Sequence, residues 1–135
     1  MLRRLLSCNK VNKNRNFSTF YTKEHEWISI INNKATIGIT DYAQSQLGDL
    51  VFVEYSDVKD IKKGDIVASI ESVKASSDIY SPIDCKLLEM NDELIDNPEL
   101  INQSPEEDGW LIKVEVDEID RSNLLTNKEY EDFIE

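Results

Sequence analysis

Ile70-Glu71-Ser72-Val73-Lys74-Ala75-Ser76-Ser77-Asp78 is the stretch that decides how this chain folds. Upstream of it, Ile66, Ala68 and Ile70 recur at every second position, the period of a half-buried strand. Downstream, Ala75 to Tyr80 can run extended until Pro82, which has no N–H to give a central ladder. Two strands this close in sequence must reverse between Ser72 and Ala75, which predicts Val73 and Lys74 at the tip of a hairpin. An exposed Val beside a Lys adds nothing evident to stability. It does present a primary amine on a flexible stem. Most lysines on turns are only solubilising charges, so the rest of the chain has to decide between these readings.

Working outward, short strands alternate with polar turns. Tyr21 to Trp27 leads into Ile28-Ser29-Ile30-Ile31, and Asn32-Asn33, which tolerates positive φ, joins it to Ala35-Thr36-Ile37-Gly38-Ile39 as a hairpin. Thr40 is placed to cap a short helix over 41–47, closed by Gly48. The next strand runs to Glu54, and its entry Gly48-Asp49-Leu50-Val51 echoes Gly64-Asp65-Ile66-Val67, which suggests a quasi-symmetric pair of sheets. Lys86-Leu87-Leu88-Glu89-Met90 reads as a further strand. Asn97 and Pro98 then open a short helix to Ile101. Trp110 to Val116 alternates as a strand and 117–125 is expected to be helical. Thr126-Asn127-Lys128-Glu129 is a capping box for a last helix carrying Tyr130, Phe133 and Ile134. The fold class that follows is mainly β: a two-sheet sandwich or flattened barrel with short peripheral and C-terminal helices.

Composition narrows the function. The 135 residues carry a net charge of -12, against the basic face that nucleic-acid binding requires. No apolar run approaches the roughly 18 residues needed to span a bilayer. Cys8 and Cys85 give neither a disulfide framework nor a metal-ligand pair, and His25, the only histidine, has no neighbouring ligand or nucleophile in sequence. Residues 1–17 differ in kind, holding Arg3, Arg4, Lys10, Lys13 and Arg15 and no acid. Met1-Leu2-Arg3-Arg4-Leu5-Leu6 can set leucines and arginines on opposite helical faces, so the segment reads as a mitochondrial transit peptide cut near Ser18. The plainer alternative is a disordered basic arm. Residues 18–135 form the folded domain, and without the leader Cys85 is its one thiol.

With the chain laid out, Glu71-Ser72-Val73-Lys74-Ala75, followed by Ser77-Asp78 and Ser81-Pro82, resembles the lipoylation site of the glycine cleavage system H-protein family. Lipoyl domains of 2-oxoacid dehydrogenases usually place Asp before the lysine, and biotin carriers flank it with Met. Other blocks are similar to H proteins in the same order: Tyr21-Thr22 with His25-Glu26-Trp27, Ile37 to Gln44, Leu47 to Glu54, Asn97 to Asn102, and Gly109 to Val114. Two departures are visible: Cys85, where the family usually has Gly, and Glu24, where the residue before the His is often small.

The resemblance implies a lipoyl/biotinyl-type sandwich that is a carrier and no enzyme. Lipoate would be joined to Lys74 by an amide, with Glu71, Ser72, Val73 and Ala75 as the context of the site. Glycine decarboxylase, using pyridoxal phosphate, would load an aminomethyl group. An aminomethyltransferase using tetrahydrofolate would remove it, and dihydrolipoamide dehydrogenase would reoxidise the dithiol. Lipoate-attaching enzymes are the fourth kind of partner, and the location is the mitochondrial matrix. The loaded arm is expected to fold into a pocket formed by His25, Glu26 and Asp78, where acids can pair with a protonated amine. Four rival readings stand beside this one: a lipoyl domain of a 2-oxoacid dehydrogenase, a carrier that relays lipoyl groups to other enzymes, a structural β module, and a small hydrolase using Cys85.

Overall fold

The structure, a computed structural model, describes residues 17–135. The leader expected over 1–17 therefore lies outside the described residues except at Phe17. Strand β1 (Phe17–Tyr21) was not expected, and it pairs with β2 (Glu26–Ile31) from Phe17↔Ile31 to Tyr21↔Trp27. Its Phe-Ser-Thr-Phe-Tyr run has the aromatic and β-branched content of a strand. Asn32, at φ 57, turns β2 into β3 (Lys34–Ile39) as anticipated.

Helix α1 (Asp41–Leu47) follows, with the Thr40 hydroxyl accepting from the Ala43 N–H and Gly48 ending it at φ 85. Then come β4 (Leu50–Tyr55), the two-residue β5 (Asp60–Ile61), β6 (Ile66–Ser72), β7 (Ser76–Tyr80) and β8 (Cys85–Met90). Helices α2 (Glu93–Asp96) and α3 (Glu99–Gln103) precede β9 (Ile112–Glu115), and α4 (Asn127–Ile134) closes the chain. The helix expected from Pro98 to Ile101 is α3, shifted to start at Glu99, with Pro98 at its cap and no capping bond from the Asn97 side chain.

The named strands pair antiparallel in two sheets, ordered β1-β2-β3-β9-β8-β5 and β4-β6-β7. The core lies between the sheets. Ile28, Ile30, Ile37, Ile39, Ile112 and Val114 from the large one meet Leu50, Val53, Ala68, Ile70 and Ile79 from the small one. A second cluster, Tyr21, Trp27 and Tyr130, pins α4 to the first hairpin, with the Tyr21 and Tyr130 rings stacked at 4.9 Å. Gly38 is required there, because a Cβ at this position would come within 2.8 Å of the Trp27 ring.

Three expectations are corrected. The sheets are unequal, and the two similar Gly-Asp entries lead to β4 and β6, neighbours in the same small sheet. Ile66 is exposed, because an irregularity in the β6–β7 register buries both Val67 and Ala68. Residues 117–125 form no helix. The Asp120 carboxylate accepts the Ser122 N–H at 3.0 Å, and Leu125 exchanges both backbone hydrogen bonds with Tyr21, at 2.7 and 2.8 Å. Local acid-and-serine turn chemistry and pairing with β1 together outweigh a helix with few apolar positions.

Candidate functional site

The hairpin tip is built by one side chain. Ser72, nearly buried at the end of β6, accepts the N–H groups of Ala75 at 3.0 Å and Lys74 at 3.3 Å on its hydroxyl oxygen. The Ser72 N–H donates to Ala75 O at 2.7 Å, and the Val73 N–H to Asp49 O at 3.2 Å. The reversal is thus held from both sides while its side chains face out: Val73 is 74% exposed, and Lys74, Ala75 and Glu71 are also exposed. Gly48 lies beneath the Lys74 stem, where an added Cβ would stand 3.4 Å from Lys74 Cε. The two bulky neighbours Val51 and Phe52 are both exposed, at a register irregularity opposite Glu71 and Ser72.

At the other end of the same hairpin is a cleft of about 480 Å³, bordered by Thr22, Glu24, Glu26, Tyr80, Pro82 and Leu124, among others. Glu26 is 2% exposed there. Its Oε1 accepts from the Thr22 hydroxyl at 3.1 Å and its Oε2 from the Tyr80 N–H at 3.0 Å, while its own N–H donates to Thr22 Oγ1. One carboxylate therefore bridges the large sheet to the free edge of β7. Burial pushes its pKa up to about 7, against the opposing pull of the Tyr80 and Thr22 hydrogen bonds. Among the described residues no cation pairs with it. Of the two lysines bordering the cleft, Lys63 is 3.9 Å from Asp120 and Lys23 lies 5.9 Å from the centre of the Phe133 ring.

Of the residues expected to form one pocket, Glu26 borders this cleft and His25 and Asp78 do not. Asp78 is exposed on β7, accepts the Ser69 hydroxyl at 2.8 Å and does not border the cleft. It shares the exposed face of β7 with Ser76 and Tyr80, so it stands between the tip and the cleft. His25 does not border the cleft either. It takes φ 71, and Nδ1 is 2.8 Å from the Tyr130 hydroxyl, which in turn lies 2.7 Å from Thr40 Oγ1. Tyr42 and Phe133 pack about its ring, and burial lowers its pKa. His25 thus joins α4 to the cap of α1, a structural task. Thr22 and the Tyr80 backbone, which shape the cleft, carried no signal beyond Thr22's place in a family block.

A larger groove, about 880 Å³, is walled by acids including Asp60, Asp84, Glu115 and Asp120 and has no contribution from the β6–β7 hairpin. Cys85 borders it, but the thiol is buried, lies 3.7 Å from Ser81 Oγ and Ile83 O, and has its pKa raised by burial. Cys85 Sγ contacts Ser81 and Ile83, His25 Nδ1 contacts Tyr130, and among the described residues no hydrogen bond joins the two, so the nucleophile–base pair of the hydrolase reading is not assembled.

Comparison with known proteins identifies relatives along most of the chain. Residues 19–135 match the family model of the glycine cleavage H-protein. The glycine cleavage system H protein of Thermotoga maritima is 51% identical over 115 residues, covering 84% of this chain and 93% of that one. A Staphylococcus epidermidis protein of the same name is 49% identical over 116 residues, with 84% and 92% covered. The crystal structure of a glycine cleavage system H protein from Mycobacterium marinum superposes with a TM-score of 0.76 at 34% identity, covering 84% of this chain and 93% of that one. An identity near one half across the whole sandwich, together with the family-model match, settles the kinship: the chain belongs to the glycine cleavage H-protein family.

Proposed function

We propose that this protein is the lipoyl carrier of the glycine cleavage system, with lipoate joined by an amide to Lys74. One observation carries the reading: the exposed face of β7, formed by Ser76, Asp78 and Tyr80, leads from an accessible lysine to a cleft holding a buried, cation-free carboxylate. The residues at the tip fit the group. The Lys74 amine is open to an attaching enzyme, and the absence of a side chain at Gly48 leaves room beneath its stem. When bound, lipoate would supply a disulfide whose cleavage takes up the aminomethyl carbon left by decarboxylation of glycine, and which would stay on the lysine as a dithiol once that carbon is passed on. The five residues of β7 rise about 3.3 Å each, so the cleft begins on the order of 15 Å from the tip.

The chain's own contribution is presentation and shelter. A tethered cargo has a high effective concentration at every partner it can reach. Within the cleft, Glu26 supplies a desolvated acceptor for a protonated amine, and Asp78 lies on the approach. A seated cation would give Glu26 the countercharge it lacks. The partners are glycine decarboxylase, aminomethyltransferase, dihydrolipoamide dehydrogenase and the enzymes that attach lipoate. Intact-mass measurement tests the assignment. The parent gains one lipoyl group, whereas Lys74→Arg, which keeps the charge without a primary amine, folds normally and gains nothing. Lipoylation of the Arg variant would move the site elsewhere.

Residues 1–17 are proposed to direct the chain to the mitochondrial matrix and to be removed there. Their acid-free basic composition supports this, as does the start of the family match at residue 19. Isolated mitochondria should import and shorten the full chain and leave a chain beginning at Ser18 outside. Equal import of both would show that the segment is not a leader.

A further inference from the structure

Resting on the reading that Lys74 is acylated, we infer that Asn102 is a positioning residue for that acylation: from α3 it clamps the loop on which the hairpin tip rests. Its side-chain amide is spent on a single short stretch. Nδ2 donates to Gly48 O at 2.9 Å and to Gln44 Oε1 at 2.8 Å, while Oδ1 accepts from the Leu50 N–H at 2.9 Å. Asp49 is thereby fixed between two clamped neighbours, and its carbonyl receives the Val73 N–H at 3.2 Å. The Gly48 N–H, donating to Gln44 O at 3.0 Å, closes α1 against the same loop.

The same loop borders the Lys74 side chain: a Cβ added at Gly48, which takes φ 85, would lie in ordinary van der Waals contact with it, 3.4 Å from Cε and 4.0 Å from Nζ. Yet the clamp builds neither sheet. Leu50 lies in the edge strand β4 and is already paired with Ser72 on its other side. One part-buried amide therefore ties α1, α3 and β4 to the loop that accepts the N–H of Val73, the residue preceding Lys74.

Acylation makes this tie matter. The Nζ–acyl carbon bond forms as the bond from that carbon to its adenylate breaks; AMP leaves, and the neutral amine loses one proton to solvent or a base and keeps the other as the amide N–H. The co-reactant is an acyl-adenylate supplied by the attaching enzyme. Since Lys74 has to enter that enzyme's site at a fixed height, a loose tip lowers the fraction of encounters in attacking geometry.

The experiment uses the unlipoylated protein, lipoyl-adenylate and a lipoate-attaching enzyme, with amide hydrogen exchange as a second reading. Asn102→Ala should lower kcat/KM for acylation by about tenfold or more, as misplacement of a reacting group does, and Val73 N–H exchange should speed up. Exchange at the Tyr21–Leu125 bridge should stay unchanged. Asn102→Asp keeps the acceptor for Leu50 and loses both donations, so it should fall between. Ile101→Val, in the core face of the same helix, should lower the melting temperature and leave both readings at parental values. An unmodified parent would sink the assignment of Lys74 itself. A modified parent with Asn102→Ala acylated at the parental rate, or with Ile101→Val equally slow, overturns the clamp. If Asn102→Ala does not fold, Asn102→Asp against Ile101→Val decides by the same criteria.

Discussion

At the tip of the β6–β7 hairpin Val73 is 74% exposed and every contact that shapes the turn is a backbone or serine hydrogen bond, whereas at the base of the same hairpin the Glu26 carboxylate is 2% exposed. The tip is made by residues adjacent in sequence. The cleft is made by Thr22 and Glu26 from the first hairpin, Tyr80 from β7 and Leu124 from the segment before α4. A carrier needs both kinds of site: one accessible to several enzymes and one that excludes water from its cargo. Their difference predicts different responses to pH and to substitution.

The largest effect belongs to Glu26. Its folded pKa, raised to about 7 from 4.5, means the folded chain holds a proton that the unfolded chain has released. The Glu26 contribution to stability therefore falls as pH rises from about 4.5 through about 7, by about 3 kcal/mol, with the full loss present above that window. Glu26→Gln keeps the shape, and its amide can serve both Thr22 and Tyr80. The variant should unfold in urea with little change between pH 5 and pH 8, and at pH 8 it should exceed the parent. A parent as stable at pH 8 as at pH 5 would show that the cleft carboxylate is no more desolvated than the tip.

Next in size is Ser72→Ala at the tip. It leaves the Lys74 and Ala75 N–H groups without their shared acceptor, a loss of about 1–2 kcal/mol in a partly wet turn. That loss should be independent of pH, because no titrating group takes part. Denaturation at pH 5 and pH 8 checks it, and a pH-dependent loss would mean that tip and cleft are coupled through β7.

The tip was legible in the sequence because its causes are local. Strand period, a three-residue reversal and a serine at its start all lie within 66–80, and the capping signals at Thr40 and Thr126 were equally local. The cleft was legible only as a set of residue names. Nothing in the sequence shows that Tyr80 gives its N–H to Glu26, or that Asp78 binds Ser69 and His25 binds Tyr130, because these follow from how the elements meet. The same reason accounts for 117–125, where pairing of Leu125 with Tyr21 outweighed a local helical reading. It also accounts for β1, whose first residue had been assigned to the leader. Asn102 stood in a recognised block, yet its partners Gln44, Gly48 and Leu50 are more than 50 residues away and could be seen only in the fold.

The smallest effect, that of Asp78→Asn, should separate Asp78 from Glu26. On the proposed reading, the protein charged with its amine-bearing carbon would hold a cation near β7, whereas the oxidised and reduced empty forms would carry none. Glu26 offers that cation a desolvated partner, and removing a charge-assisted hydrogen bond in such a site costs about 1.5–3 kcal/mol, so Glu26→Gln should speed release of the amine at least tenfold. Asp78 is exposed and already bound to Ser69, and exposed pairs contribute only about 0.2–1 kcal/mol. Asp78→Asn should accordingly speed release by no more than about fivefold, and added salt should erase that difference while leaving the Glu26 effect largely in place. Ammonia release from the charged protein, followed at low and high salt for each single variant, gives the comparison. Equal acceleration by the two substitutions would mean that the cargo rests on the open face of β7 near Asp78, with the cleft around Glu26 serving only to hold the sheets together.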